Sequence, residues 1–337
     1  MLYREEKQQT KAAKQAYVDG IEGIIRSRQA QAQKLRDQYF QDIFKTPETY
    51  RQDLRQMFGW PLLGQAESGL PKVTWEELAQ EQDHTVYRLG FEILDGMTMT
   101  GLFFRAKGPE ARPLVIVQHG GQGTPEHISN FYGNTTNYHH MLERVIAHGV
   151  HAFAPQLLLW KGDQYEVSYD RQKTDARLKR VGSSITAVEV YGITRILDYF
   201  EAQSYVTTFG MVGMSYGGFY ALVTAAVDTR IKAAVSCAFF NTRDEIGWCD
   251  WTWQCSAEKF DDAEIACLVY PRKLHILIAD ADPLFDHVHG VASFERLCRI
   301  CEKADTDWVD LTVFEGGHEF CKDDAAIQRL MAEIKTS

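Results

Sequence analysis

Nowhere in this chain is there an uncharged apolar run of the ~20 residues that a membrane-spanning helix requires, so a helical integral membrane protein is excluded. Basic residues are outnumbered, 36 Lys and Arg against 46 Asp and Glu. No basic stripe with interleaved aromatics offsets that balance, and nucleic acid is not an expected partner. The opening "MLYREEKQQTKAAKQ" is too polar for the apolar centre of a secretory leader. Cysteines are few and odd in number, seven scattered over 337 residues. That pattern suits reduced thiols and a cytoplasmic location better than a disulfide framework. Cys298 and Cys301 form C-x-x-C within "SFERLCRICEKA", an amphipathic helical pattern, without a second cysteine pair at zinc-binding spacing. No metal and no other cofactor is expected.

What is present fits a globular α/β protein, one large domain with additions or two small ones. Residues 5–44 are polar, but Tyr17, Ile21, Ile24, Ala32, Leu35, Tyr39 and Ile43 recur at steps of three and four. This predicts a long helix or helix pair with one apolar face. The face is expected to pack on the main domain, the competing reading being an arm for a homo-oligomer. "TPETYRQDLRQMFGWPL" predicts a second helix, capped by Thr46, with Pro47 in its first turn and an end near Gly59 and Pro61. The period then changes. "HTVYRLGFEIL" and "MTMTGLFFRAKG" read as antiparallel edge strands joined at Asp95-Gly96. "RPLVIVQHGG" reads as a buried central strand. From there strands and helices alternate to the end, which predicts a mostly parallel sheet covered by helices on both faces. A helical N-terminal extension over 1–75 is therefore expected to precede a catalytic domain over 76–337. A long connection at about 241–272, carrying Trp248, Trp251 and Trp253, is expected to form a lid or substrate wall.

Sites in open parallel sheets gather beyond the carboxyl ends of the strands. Polar residues at those ends are His119-Gly120-Gly121-Gln122-Gly123 after "PLVIVQ", Ser215 after "FGMVGM", Asp280 and Asp282 after "LHILIA", and His318 after "LTVFEGG". A nucleophile, an acid and a base thus follow in the order Ser, Asp, His. "GMSYGG" has no lysine for a P-loop and lacks the G-x-G-x-x-G of a dinucleotide site. Its spacing is G-x-S-x-G. Glycines two before and two after the serine allow a sharp strand-to-helix turn that projects the hydroxyl into a cleft. The helix behind aims amide N–H groups at a developing oxyanion.

With "HGGQG" upstream and "DADPLF" and "GGHEF" downstream, the chain resembles the α/β-hydrolase superfamily over roughly residues 85–333. Within it, the chain is most similar to bacterial serine esterases of the acetylxylan esterase and dipeptidyl-aminopeptidase-like group. The resemblance implies Ser215 as nucleophile and His318 as base. It implies Asp282 as the acid, since the family's acid directly precedes the proline. Ala279 stands where that pattern has glycine, which keeps Asp280 in contention, with Asp286 more distant. The N–H of Tyr216 would be one oxyanion donor and that of Gly121 the other, with Gln122 a near competitor. Gln122, Trp248 and Trp251 are the expected substrate contacts. The histidine pairs His139/His140 and His287/His289 show no clear carboxylate partner in sequence, and the acidic group Asp244, Glu245 and Asp250 reads as a solvated loop.

The expected activity is hydrolysis of a small-molecule carboxylic ester through an acyl-enzyme, with a small acyl group such as acetyl on a sugar or related alcohol. Two alternatives remain open at this point: a short-peptide peptidase, and a ligand receptor or scaffold that keeps the fold with negligible turnover. The peptidases of the group usually carry an N-terminal propeller, for which the segment before the sheet is too short.

Overall fold

The protein, described here by a computed structural model over residues 2–60, 69–94, 96–159, 167–302 and 306–336, is built on one nine-stranded sheet. Two helices come first, α1 (Lys7–Tyr39) and α2 (Pro47–Phe58). Three strands follow, β1 (Val73–Gln80), β2 (His84–Leu94) and β3 (Met97–Ala106). Next come β4 (Arg112–Gln118), the short α3 (Pro125–Ile128) and α4 (Met141–Ile146), and β5 (His151–Pro155). Two further helices, α5 (Arg171–Arg180) and α6 (Ile185–Glu201), lead to β6 (Val206–Met214) and α7 (Tyr216–Val227). The chain closes with β7 (Ile231–Cys237), α8 (Asp262–Cys267), β8 (Lys273–Ala279), α9 (His287–Cys301), β9 (Val309–Phe314) and α10 (Ala325–Lys335).

The strand order is β1-β2-β3-β5-β4-β6-β7-β8-β9. The first three strands pair antiparallel, β3 joins β5 antiparallel, and every pairing from β5 onward is parallel. The expected α/β class is thus the observed one. The central strands β4, β6, β7 and β8 are largely apolar and buried because helices cover both sheet faces, with Gln118, Thr208, Ser236 and His275 as buried polar exceptions. Two cores result, one on each face.

Some elements lie beyond what the pattern revealed. The outermost edge is β1, which the sequence reading did not anticipate. Its side chains are largely exposed, so the apolar alternation that marks a strand is missing. It also spans the expected domain boundary at 75. Gly59 does end α2 in the left-handed conformation, φ +87°. Thr46 stands at the N-cap, but its side chain forms no capping hydrogen bond. Pro61 and Asp95 lie outside the described residues. α2 is part of the core, with Leu54 and Phe58 buried and Arg51 Nε donating to the Ala226 carbonyl at the end of α7.

α1 departs from expectation. Only its last turns meet the body, through Ala32, Arg36 and Tyr39, while residues 7–28 are exposed along their whole length. Leu35, expected on the apolar face, is exposed while Arg36 is buried, because periodicity carries no information about what covers a stripe.

Candidate active site

β6 ends at Met214 and α7 begins at Tyr216, so Ser215 alone makes the turn. It takes φ +59° and ψ −123°, a conformation that costs a non-glycine residue of order 1–3 kcal/mol. The surroundings hold it there. Its N–H donates to the Cys237 carbonyl at 2.8 Å, and its own carbonyl accepts the Phe219 N–H at 3.0 Å. The glycines leave room for the turn. A Cβ on Gly213 would overlap the backbone of Gly217, and one on Gly217 would overlap the Gln118 carbonyl. Gly218 is equally constrained, since a Cβ there would lie 2.6 Å from the Cys237 carbonyl oxygen.

At the end of β8, the two aspartates separate. Asp280 is exposed and its Oδ1 accepts the Gly316 N–H at 3.1 Å, a loop-to-loop tie. Asp282 is buried. Its Oδ1 accepts the N–H groups of Leu284 and Phe285 at 2.8 and 3.2 Å, which orients Oδ2 toward His318 Nδ1 at 2.8 Å. Among the described residues, that carboxylate is the one hydrogen-bond partner of the imidazole, so Nε2 is left for another group. Asp286 does something else, capping α9 by accepting the Val288 N–H.

The segment after β4 forms a tight turn, with the Gly123 N–H donating to the Gly120 carbonyl at 3.0 Å and Gly121 and Gln122 at the tip. It presses against the nucleophile, since a Cβ on Gly120 would stand 3.2 Å from Ser215 Cβ. Gly121 is half-buried and Gln122 exposed. Two residues brace the turn from behind. Tyr138 Oη accepts the Gly120 N–H at 2.8 Å. His119 Nε2 accepts the Leu157 N–H at 3.1 Å, so its proton is on Nδ1 and is donated to the Gly120 carbonyl at 2.9 Å. Complete burial pushes this imidazole down to about 4 and keeps it neutral.

The loop bearing His318 is clamped by the segment before α4. Asn137 Nδ2 donates to the His318 carbonyl at 3.0 Å, the Phe320 N–H donates to the Asn137 carbonyl at 2.8 Å, and His139 Nε2 pairs with Glu319 at 2.6 Å. His139 and His140 therefore do have carboxylate partners, Glu319 and Glu143. Hydrogen bonding to His139 holds the Glu319 carboxyl below its ordinary range.

The expected lid divides into two. Its second part is core, with Phe260 and the apolar side of α8 buried. Its first part lies over Tyr216. Trp248 is half-buried and stacks on the Tyr216 ring at 5.6 Å and 8°. Trp251, expected as a substrate contact, is instead sealed inside, against Tyr216, Phe219, Phe239 and Phe285. It backs the wall without being on its surface. The solvated-loop reading fails for Asp250, which is buried and accepts both the Tyr216 phenol at 2.9 Å and Arg171 Nε at 2.6 Å. Arg171 also spans to Glu189 and Tyr220. Opposite charges close by keep the guanidinium charged despite its burial. Phe285 connects this wall to the base, 5.8 Å from both Trp248 and His318 between ring centroids.

Arg171, Tyr138 and Asn137 escaped the sequence reading. Each acts through a partner distant in sequence, from 18 residues for Tyr138 to 181 for Asn137, and no local motif marks them. Among the described residues, no group of three or more His, Cys, Asp and Glu side chains is arranged to hold a metal ion, and no helix is long and apolar enough to cross a membrane.

Comparison with known proteins agrees with this architecture. The family model described as the dienelactone hydrolase family matches residues 127–330. No curated protein matches the chain in sequence. Solved structures of similar fold include a protein assigned as an acetyl xylan esterase from Bacteroides fragilis NCTC 9343, with TM-score 0.66 and 15% identity, covering 83% of this chain and 77% of that one. A glucuronoyl esterase from Solibacter usitatus gives TM-score 0.59 and 14% identity over 85% of this chain and 91% of its own. Acetyl xylan esterase 1 from Thermoanaerobacterium sp. JW/SL YS485 gives 0.54 and 16% over 90% and 98%. At such identities the likeness is one of fold.

Proposed function

The chain belongs to the dienelactone hydrolase family of the α/β-hydrolase superfamily, and from that premise we propose that it is a serine esterase that removes a small acyl group from a neutral alcohol such as a sugar. The observation that carries this reading is the hydrogen bond from His318 Nδ1 to a buried, amide-anchored Asp282, on the sheet edge where Ser215 turns in a strained conformation.

In this reading Ser215 Oγ attacks the ester carbonyl while His318 Nε2 takes its proton. Asp282 holds the imidazole in the tautomer with Nδ1 protonated and stabilises the imidazolium. The carbonyl oxygen becomes an oxyanion and accepts the N–H groups of Tyr216 and Gly121, each donor supplying ~2.7–4 kcal/mol of transition-state stabilisation. Collapse breaks the bond to the alcohol, which leaves with the proton from His318. Water then attacks the acyl-enzyme by the same route and releases the acid.

Two features support the substrate class. Trp248, backed by the buried Tyr216 and packed against Phe285 next to His318, walls one side of the space beside the base, which suits a small acyl group, and its exposed part offers a flat face to a sugar ring. Beside Asp282 lies a cavity of about 650 Å³ bordered by Glu245, Asp280 and Asp286. Those carboxylates disfavour anionic substrates. The acetyl xylan esterases of similar fold fit a neutral acetylated sugar.

The test is a p-nitrophenyl ester series of increasing acyl length, with an anionic succinyl ester as comparison, on the wild type and Ser215→Ala. Acetyl is expected to be fastest, succinyl slow, and the variant inactive. Turnover surviving in Ser215→Ala would remove that residue from its role.

A further inference from the structure

Residues 7–28 of α1 extend beyond the body as helix for ~33 Å at 1.5 Å per residue. The innermost tie of this overhang is Gln29 Nε2, which donates to Asp244 at 3.1 Å. From there to its end the helix is anchored by Arg36, bonded to the Ala257 carbonyl and paired with Glu264, and by Tyr39 against Phe260. The side of the helix that docks there continues past the body edge. Steps of three and four back from the docked Tyr39, Arg36, Ala32 and Gln29 lead to Ile25, Ile21 and Val18, which extend the docked side into solvent. Tyr17 is 73% exposed and Ile24 64%, with Val18, Ile21 and Ile25 also exposed.

A helix in that situation lacks support. Isolated helices are marginal in water and gain their stability from a packed apolar face. This one also contains Gly20 and Gly23, each costing ~1 kcal/mol relative to alanine in a helix interior. A surface that completes the stripe is therefore required, and its chemistry is set by charge. The first 39 residues hold eight basic and five acidic side chains, a net +3, which leaves 28 basic and 41 acidic, a net −13, for the rest. Lys14 and Arg28 share the stripe with the apolar residues. Two arms paired antiparallel about Ile21 would set Lys14 against Arg28. Against an acidic body the same charges attract.

We propose that α1 residues 7–28 are an arm by which two copies of this chain hold one another, each arm lying on the acidic body of the other. Reciprocity matters for size. A helix ~10 Å wide offers a footprint of ~330 Å² over this length, short of the ~800 Å² per partner typical of a stable interface. Exchange of arms doubles it.

The test is the mass of the full chain by light scattering and sedimentation from low to tens of micromolar, for wild type and the double variant Ile21→Glu/Ile25→Glu. The wild type is expected at twice 38.5 kDa. The variant is expected to raise the dimer dissociation constant at least tenfold. Its near-UV circular dichroism and p-nitrophenyl acetate turnover should match wild type, because both positions are exposed and outside the active site. Raising salt should weaken the wild-type dimer several-fold. A wild type that stays at 38.5 kDa throughout, or a variant that dimerises as tightly as wild type, overturns the proposal. A dimer that tightens with salt overturns docking on the acidic body.

Discussion

The phenol of Tyr216 donates to Asp250 Oδ2 at 2.9 Å, and the same oxygen accepts Arg171 Nε at 2.6 Å. The residue directly behind the nucleophile is thus tied to the segment that carries Trp248 and, through Arg171, to Glu189 on α6. In the proposed mechanism that residue supplies an oxyanion donor, so the tie fixes where its amide points. Tyr216→Phe keeps the amide and loses one hydrogen bond to a charged group, worth ~1.5–3 kcal/mol. Turnover of p-nitrophenyl acetate should fall by less than tenfold. Asp250→Ala strands one end of a buried guanidinium and should cost ~3–5 kcal/mol in denaturant unfolding. Its kcat should fall further than that of Tyr216→Phe, with a smaller change in KM. Equal kcat for the two variants would show that the tie does not reach the reacting centre.

Asp282 and Asp280 differ in burial and partner, and their asparagine variants should differ accordingly. Asp282→Asn removes the acceptor that sets the His318 tautomer, and a loss of kcat on the order of 10⁴ is expected. Asp280→Asn disturbs one hydrogen bond to the Gly316 N–H and should stay within tenfold of wild type. Steady-state kinetics on a single ester decides between them, and a larger loss at Asp280 would reverse the assignment.

The strand ends that carry Ser215, Asp282 and His318 were legible because a parallel sheet places every such end on one edge, whatever the chain does between them. Gly213 and Gly217 were legible for a steric reason, and their backbones do meet across the turn. Strand alternation could not choose Asp282 over Asp280, since two residues apart on a strand face the same way, and the choice rested on the resemblance, in which the acid directly precedes the proline. The loop beyond β8 breaks that equivalence, through the Leu284 and Phe285 amides. Trp251 and Asp250 were misread for a shared reason. A loop has no periodicity, so composition cannot say which of its side chains point inward.

Tyr138 braces the turn that carries Gly121. Tyr138→Phe would leave the buried Gly120 N–H without its acceptor, at a cost of ~1–3 kcal/mol. If the turn relaxes, the Gly121 amide shifts from the oxyanion position. The expected signature is a lower kcat with KM nearly unchanged, because the donor acts on the transition state. A rise in KM at constant kcat would place Tyr138 in ground-state binding instead.

His119 couples the same turn to pH. Its imidazole is held at about 4 in the folded protein, against ~6.5 for a free histidine. Between those values the unfolded chain binds the extra proton, so the stabilisation from His119 is complete above pH 6.5 and declines as pH falls toward 4. At pH 5 the loss amounts to ~2 kcal/mol. Other buried groups titrate too, among them Asp262, which burial pushes up to about 7 and which acts in the opposite direction. The difference between wild type and His119→Asn cancels them. Wild type should be the more stable at pH 7, and denaturant unfolding should show the gap narrowing by ~2 kcal/mol at pH 5. A gap independent of pH would mean that His119 is protonated equally in both states. It could not then be the neutral donor that holds the Gly120 carbonyl in place.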